Sequence, residues 1–401
     1  MSLAARLAPH YSRFRVSERL LLTGHSHQAW PDVALLGLEE AYADAAELVD
    51  EKWSRAFARA EDVREGFRRL LDDPDAEIAL GSSTHELLVR FLSALDLRAR
   101  PRIVTTDGEF HSARRQLARL GEAGVELVVV SASPADTLAE RLAAEVDERT
   151  AAVLTSSVLF ATSRVVAGLD EVAAACERVG AELLVDAYHQ LGVVPLSLDA
   201  AGLTNAWVVG GGYKYLQLGE GNCFLRLPPH ASSMRPVVTG WYAEFGALAG
   251  AGGAGEVVYG PGATRFAGST YDPTSHYRAA RVLRFFADQG LTADVLAASY
   301  RRQREVLASA FDALGASDEV ITRDRTTPSD GFGGFLSLET PHAGRLQELL
   351  AGRGVLTDSR GSHLRLGPAP YLSDAQLTEA VAHLGEAIRE LDATPRRTGS
   401  V

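Results

Sequence analysis

A chain of 401 residues, 46% apolar and 23% charged, is long enough for one large domain with a smaller companion, and it holds no repeat, low-complexity block or long linker that would split it into independent modules. A formal net charge of −12 and a pI near 5.4, with no Lys/Arg-rich tract, oppose attraction to nucleic acid or an anionic membrane, so neither is expected as a partner. Met1 to His10 lacks a signal-peptide core and no stretch approaches the roughly 18 apolar residues of a spanning helix, so the expected location is the cytoplasm.

Apolar residues at helical spacing from Pro31 to about Asp50 and from Trp53 to Leu71 predict two helices before the first strand. Short β-branched runs follow at Ile103–Thr106, Val125–Val130, Ala152–Thr155, Leu183–Asp186, Trp207–Val209 and Cys223–Leu225. Helical patterns at Ser112–Glu122, Pro134–Glu145 and Asp170–Val179 fall between several of them. This alternation predicts an α/β fold whose central sheet is mostly parallel, with helices on both faces. Cys176 sits in a helical pattern and Cys223 opens a strand, so the only two cysteines are expected as buried apolar residues; neither a disulfide nor a metal site is expected.

The Gly-rich, aromatic stretch Gly240–Thr274 breaks the rhythm, and so long an irregular run is expected to be functional or ordered by a partner. Helices are expected at Ser275–Gln289, Thr292–Leu314, His342–Arg353 and Ser373–Leu391, with strands at Glu319–Thr322, Phe335–Leu338 and His363–Leu366. The resulting division is an N-terminal segment with helices over 1–72, a large domain over 73–285, a small C-terminal α+β domain over 286–393 and a disordered tail over 394–401.

Two segments carry the chemistry. In Leu183-Leu184-Val185-Asp186-Ala187-Tyr188-His189 an acid ends an apolar strand and a His follows three residues later. In Trp207-Val208-Val209-Gly210-Gly211-Gly212-Tyr213-Lys214-Tyr215 a second apolar strand runs through glycines to a Lys between two tyrosines. Alone, Asp186 reads as a turn former and Lys214 as a surface charge. Together, 28 residues apart and at the carboxyl ends of two strands, they match the needs of pyridoxal 5′-phosphate (PLP). A carboxylate keeps the pyridinium nitrogen protonated so that the ring accepts electrons, and a desolvated amine forms the Schiff base and moves protons. The glycines are expected to let the backbone approach the cofactor closely. Ala79–Gly81 and Ser82-Ser83-Thr84 read as a polar turn entering a helix, which offers N–H groups and hydroxyls to a phosphate, and equally as a capping box of Ser83 with Glu86. Phe110, in Asp107-Gly108-Glu109-Phe110-His111-Ser112, offers a ring for stacking on the cofactor or for the core.

The order Gly-Ser-Ser-Thr, Glu-Phe-His-Ser, Ser-Ser-Val-Leu-Phe, Val-Asp-Ala-Tyr-His, Tyr-Lys-Tyr-Leu, Gly-Trp-Tyr, Arg-Phe-Ala-Gly-Ser-Thr and His-Leu-Arg-Leu-Gly-Pro resembles class V of the PLP-dependent aminotransferases, and within it kynureninase, over roughly residues 20 to 380. The resemblance implies PLP-dependent fold type I, the aspartate aminotransferase-like fold. It implies that Ser83 and Thr84 hold the phosphate, Phe110 stacks on the ring, Ser156 or Ser157 lines the site, Asp186 pairs with the ring nitrogen, His189 lies beside the cofactor, Tyr213 reaches the phosphate and Lys214 is the Schiff-base lysine. It further implies that Trp241 and the Ser269-Thr270 turn approach a neighbouring subunit's phosphate in a homodimer, and that Arg365 binds the α-carboxylate of an amino-acid substrate; by itself Arg365 also reads as a surface ion pair.

The implied activity is hydrolytic cleavage of a Cβ–Cγ bond, L-kynurenine to anthranilate and L-alanine, with Lys214, Tyr213 and Asp186 as catalytic residues. The alternative is a class V aminotransferase, epimerase or other lyase. Four departures from kynureninases fall on the pocket for the aryl group. Gly24-His25-Ser26-His27 replaces Gly-Asn-Ser, no His occurs in Ala56–Asp75, Tyr271-Asp272-Pro273 replaces Ser-Asn-Pro, and Val158-Leu159-Phe160-Ala161 replaces Val-His-Phe/Tyr-Tyr. His25, Ser26 and His111 are the candidates for substrate contacts there. Asp358-Ser359-Arg360-Gly361-Ser362 holds no Cys, which disfavours a desulfurase.

Overall fold

A computed structural model describes residues 2–247, 255 and 257–393; the expected tail and part of the Gly240–Thr274 stretch lie outside these residues. Helix α1 (Leu3–Leu7), two 3-10 helices and the short strand β1 (Leu20–Leu21) precede the long helices α2 (Val33–Leu48) and α3 (Trp53–Leu71). Strands β2 (Glu77–Gly81), β3 (Arg102–Thr106), β4 (Glu126–Val130), β5 (Thr150–Ser156), β6 (Glu182–Asp186), β7 (Trp207–Gly211) and β8 (Cys223–Leu227) follow, with α4 (Thr84–Ser93), α5 (His111–Glu122), α6 (Leu138–Ala144) and α7 (Leu169–Val179) between them. They form one sheet in the order β2-β8-β7-β6-β5-β3-β4, parallel throughout except at β8, which runs against both neighbours.

Alternate residues of the central strands enter opposite cores, as the two-residue repeat of a sheet covered on both faces requires. Val104, Val153, Leu183, Val185, Val208 and Phe224 point into one core with α3, α6 and α7, whereas Ile103, Ala152, Leu154, Leu184, Trp207 and Val209 point into the other with α4 and α5. Trp207 is fully buried there, edge-on to Phe91 at 5.2 Å and Phe266 at 5.1 Å, and its indole N–H donates to Glu182 at 2.8 Å.

Beyond the sheet lie α8 (Thr274–Asp288), α9 (Ala293–Ala313), β9 (Leu336–Glu339), α10 (Ala343–Gly352), β10 (Val355–Leu356), β11 (Asp358–Arg360), β12 (His363–Leu366) and α11 (Asp374–Ala393). The antiparallel sheet β11-β12-β9 holds the C-terminal strands, and β1 pairs in parallel with β10. A bridge from Thr23 to Gly367 continues that pairing, so the N-terminal segment lies along the C-terminal one and delivers His25, Ser26 and His27 to its edge. Only a glycine fits at 367, where a Cβ would stand 2.1 Å from His25 Nδ1.

Three local expectations need correction. Ala79–Gly81 is not a turn but the end of edge strand β2, recruited by pairing with β8, and the turn begins only at Ser82. Glu319–Thr322 forms no strand: the Ser317 carbonyl accepts from the N–H groups of both Val320 and Ile321, which coils the chain, and only Thr322 bridges to Glu339. Pro134–Glu145 is not one helix, because a 3-10 helix over Ala135–Thr137 precedes α6.

Candidate active site

The chain has only two lysines. Lys52 is half-buried on the outside, over the Trp53 ring, whereas Lys214 is 5% exposed. The Lys214 amine lies 2.8 Å from His189 Nε2 and 4.3 Å from the centre of the Tyr188 ring, with Phe110 at 5.4 Å and Tyr213 at 5.8 Å. Burial lowers its pKa from 10.5 to about 7 against the pull of Asp186. Burial also drives His189 well below the ordinary imidazole range, helped by Lys214, so the ring is neutral.

Asp186 ends β6 in register with Ser156 of β5 and Val209 of β7. Its Oδ1 accepts the Tyr188 N–H at 2.9 Å, a local turn that fixes the carboxylate at the strand end. Burial raises its pKa, opposed by that N–H and by Lys214. Ser157 binds the Asp186 carbonyl through its N–H, at 3.0 Å, and its hydroxyl, at 3.3 Å. Gly211 and Gly212 make room inside the protein: a Cβ on Gly211 would lie 2.5 Å from the Tyr188 hydroxyl, and one on Gly212 2.5 Å from Leu218. The close approach expected for a cofactor is, on the protein side, an approach to Tyr188 and Leu218.

Arg365, on β12, is 3% exposed. It is not a surface ion pair: Nη2 donates to Asp358 Oδ2 at 2.6 Å and Nη1 to the Phe160 carbonyl at 2.6 Å. Asp358 Oδ1 also accepts from Arg360 at 2.7 Å, and His25 Nε2 lies 3.8 Å from Oδ2. His25 is fully buried against Phe335, with ring centres 4.7 Å apart, and burial together with Arg365 and Lys214 drives its pKa down. Phe110, His111 and Phe160 meet pairwise at 5.4 to 5.6 Å beside this group.

Both ring nitrogens of His25, Nδ1 of His189, Nε of Arg365 and the Tyr215 hydroxyl are buried without a hydrogen-bond partner. Buried polar atoms are nearly always satisfied, so such a concentration of orphans marks the place of a polar ligand. With a desolvated amine, an acid at a strand end and a flanking aromatic ring, the residues present fit PLP. Ser83 caps α4 by accepting the Glu86 N–H at 3.2 Å, while the Glu86 carboxylate binds the Ser82 N–H and hydroxyl, a capping box displaced by one residue.

The family profile described as aminotransferase class-V matches residues 33–206. Kynureninase of Burkholderia pseudomallei (strain 1106a) is 26% identical over 405 residues, covering 95% of this chain and 92% of its own length. An uncharacterized aminotransferase of Bacillus subtilis (strain 168), YcbU, is 23% identical over 343 residues, covering 85% of this chain and 87% of its own. A solved structure of C-DES, a mutant with glycine covalently linked to the PLP cofactor, superposes with a TM-score of 0.79 at 18% identity, covering 94% of this chain and 98% of that one. These similarities support a class V, PLP-dependent family for this chain. Its fold is type I of the PLP enzymes, and its sequence is kynureninase-like at low identity.

The fold brings Lys214, Asp186, His189, Tyr213, Phe110, His25 and Arg365 into one neighbourhood. Ser26 and His27 lie next to it: Ser26 Oγ is 3.2 Å from His27 Nδ1, and the His27 ring stacks on Tyr213 at 4.9 Å. Ser269 and Thr270 stand apart, in a cavity of about 1080 Å³ whose walls include Gly81, Ser82 and Tyr271, and Trp241 is 43% exposed against Tyr242 and Phe245. A second cavity, of about 680 Å³, reaches Gly108, Leu159 and Phe335 from the side of Arg164 and Arg304. Glu109, Asp358 and Tyr188 gain a part in the site only from the structure. Each falls within a segment that the sequence singles out, but nothing in a linear pattern reports that a side chain folds back against a neighbouring strand.

Proposed function

We propose that this enzyme is a kynureninase-type hydrolase, acting on an α-amino acid with a γ-carbonyl and releasing L-alanine and a carboxylic acid. The likeness to kynureninase over nearly the whole chain supports this reading. The observation that carries it is the surround of Arg365: a buried guanidinium with an unpartnered Nε, flanked by Phe160 and Phe335, with Phe110 and His111 packed on Phe160, suits a carboxylate attached to a flat aryl ketone.

Lys214 would hold PLP covalently, Asp186 its ring nitrogen, Phe110 a ring face, and Ser83, Thr84 and Tyr213 its phosphate, with Ser157 and His189 alongside. When bound, the cofactor supplies an electron sink for carbanions next to the amino group. Arg365 receives the α-carboxylate through its open Nε, while Asp358 and the Phe160 carbonyl hold the two Nη groups. The Lys214 amine, neutral above about pH 7, takes the proton from the α-carbon. Burial raises the Tyr213 phenol to about 12, so it stays protonated and serves as a donor at the substrate's carbonyl or leaving carbon. His25 and Ser26 hold the polar side of the substrate and His111 its aryl edge. In a homodimer, Trp241, Ser269 and Thr270 complete the partner's phosphate site.

The second reading is an aminotransferase, epimerase or other lyase of the same class. It is favoured by the four altered aryl-pocket segments and by the likeness to YcbU. A thiol-dependent desulfurase is disfavoured, because Cys176 and Cys223 are both buried and burial pushes both thiols up to about 12. Incubation with L-kynurenine and 3-hydroxykynurenine tests the first reading. Anthranilate or its hydroxy analogue with alanine, in equal amounts, supports it; no product at high enzyme concentration, with turnover of another amino acid, replaces it by the second.

A further inference from the structure

Glu109 is 1% exposed and has no cation bound to it among the described residues. Its Oε1 accepts the Thr106 hydroxyl at 2.7 Å and the Ser156 N–H at 3.1 Å, and its Oε2 accepts the Ser156 hydroxyl at 2.6 Å. Thr106 ends β3 and Ser156 ends β5, and Ser156 is the register partner of Asp186 at the end of β6. The β3–β5 register stops at Val104 and Val153, so beyond it the Glu109 side chain takes the place of a ladder acceptor for Ser156. The next residue, Phe110, is the N-cap of α5, and its ring lies 5.4 Å from the Lys214 amine.

We propose that Glu109 is a positioning residue of the cofactor pocket: through Thr106 and Ser156 it ties the turn that carries Phe110 to the strand end beside Asp186, and it shares with Asp186 the negative charge of that corner. The proposal rests on the assignment of Asp186 and Phe110 to the cofactor ring. A glutamine would accept the Thr106 hydroxyl and the Ser156 N–H through its carbonyl oxygen and donate to the Ser156 hydroxyl, so hydrogen bonding alone does not call for an acid. Burying a carboxylate without a cation is costly, and the cost is relieved when the group holds a proton that a neighbouring hydroxyl accepts. Burial accordingly raises the Glu109 pKa to about 7; the Ser156 and Thr106 bonds oppose the rise and the Asp186 charge adds to it. Asp186 on β6 is the charged group set against Glu109, and Asp186 in turn faces Lys214 from the loop after β7. The hydroxyls of Thr106 on β3 and Ser156 on β5 complete its surround.

Two measurements test this, one without the cofactor. In infrared difference spectra of the cofactor-free protein, the wild type loses a protonated-carboxyl band with a midpoint near 7 as pH rises. Glu109→Gln lacks that band. Thr106→Val, which removes one donor to the carboxylate, moves its midpoint to higher pH. In the loaded protein, Glu109→Gln lowers the pH midpoint of the visible band by ~0.5 or more, because the linking nitrogen loses a neighbouring anion. The same midpoint in Glu109→Gln and wild type overturns the proposal, as does an unmoved infrared midpoint in Thr106→Val, which decides the matter if Glu109→Gln fails to fold. A wild type that shows no visible band with PLP sinks the cofactor assignment as well, whereas a band with an unmoved midpoint sinks only the role of Glu109.

Discussion

The Lys214 amine is 2.8 Å from His189 Nε2, and no carboxylate among the described residues forms an ion pair with it. A lysine buried beside a neutral imidazole instead of an acid is a lysine held ready to lose its proton. The folded amine titrates at about 7 and the unfolded one near 10.5, so between these values the unfolded chain binds more protons. The stability of the cofactor-free protein therefore rises with pH across that window, and the full cost is felt at and below pH 7. Lys214→Met should raise the melting temperature at pH 7 by several degrees and by much less at pH 10. The gain corresponds to a few kcal/mol at most, at about 1.4 kcal/mol for each tenfold change in proton affinity. Calorimetry at the two pH values checks the difference; equal gains at both would contradict it.

Arg365 divides its fork between Asp358 and the Phe160 carbonyl and leaves Nε open. A lysine has no fork with which to keep two partners and add a third. Arg365→Lys should raise KM for the amino-acid substrate about tenfold or more, by the loss of the charge-assisted hydrogen bond from Nε. The visible cofactor band should persist. Steady-state kinetics checks this, and an unchanged KM would remove Arg365 from substrate binding.

His25 is buried with both ring nitrogens unpartnered, at the position where kynureninases carry Asn. His25→Asn should leave the cofactor band in place and raise kcat/KM for L-kynurenine relative to the wild type, since an amide supplies donor and acceptor without the bulk of a ring against Phe335. If kcat/KM is unchanged and only stability falls, His25 is part of the packing alone.

Trp207 fills one core of the sheet between Phe91 and Phe266. Trp207→Ala should cost ~3 to 5 kcal/mol in chemical denaturation, the range for removing a large buried aromatic side chain. A loss under ~1 kcal/mol would mean that the core closes over the gap.

The alternation of strand and helix, and the apolar runs that end in Asp186 and in Gly210–Gly212, were readable because a two-sided core writes itself into every residue of a central strand. Edge strand β2 was not, since Gly81 and the polar residues after it look like a turn until β8 is there to pair with them. The parallel union of β1 with β10 joins Leu20 to Val355, a contact without local signature. Lys214 and Asp186 were legible from their order, but the enclosure of Arg365 by Asp358, Phe160 and His25 depends on three distant segments meeting. Glu109 was hidden for the same reason: its partners Thr106 and Ser156 end two different strands.

Borohydride reduction of the PLP-loaded protein followed by peptide mass mapping tests the role of Lys214 most directly, because the chain offers only Lys52 and Lys214. A single pyridoxyl adduct is expected, on the peptide that contains Lys214, and none after Lys214→Ala. An adduct on Lys52 alone, or no adduct on a folded and cofactor-saturated protein, would contradict that role.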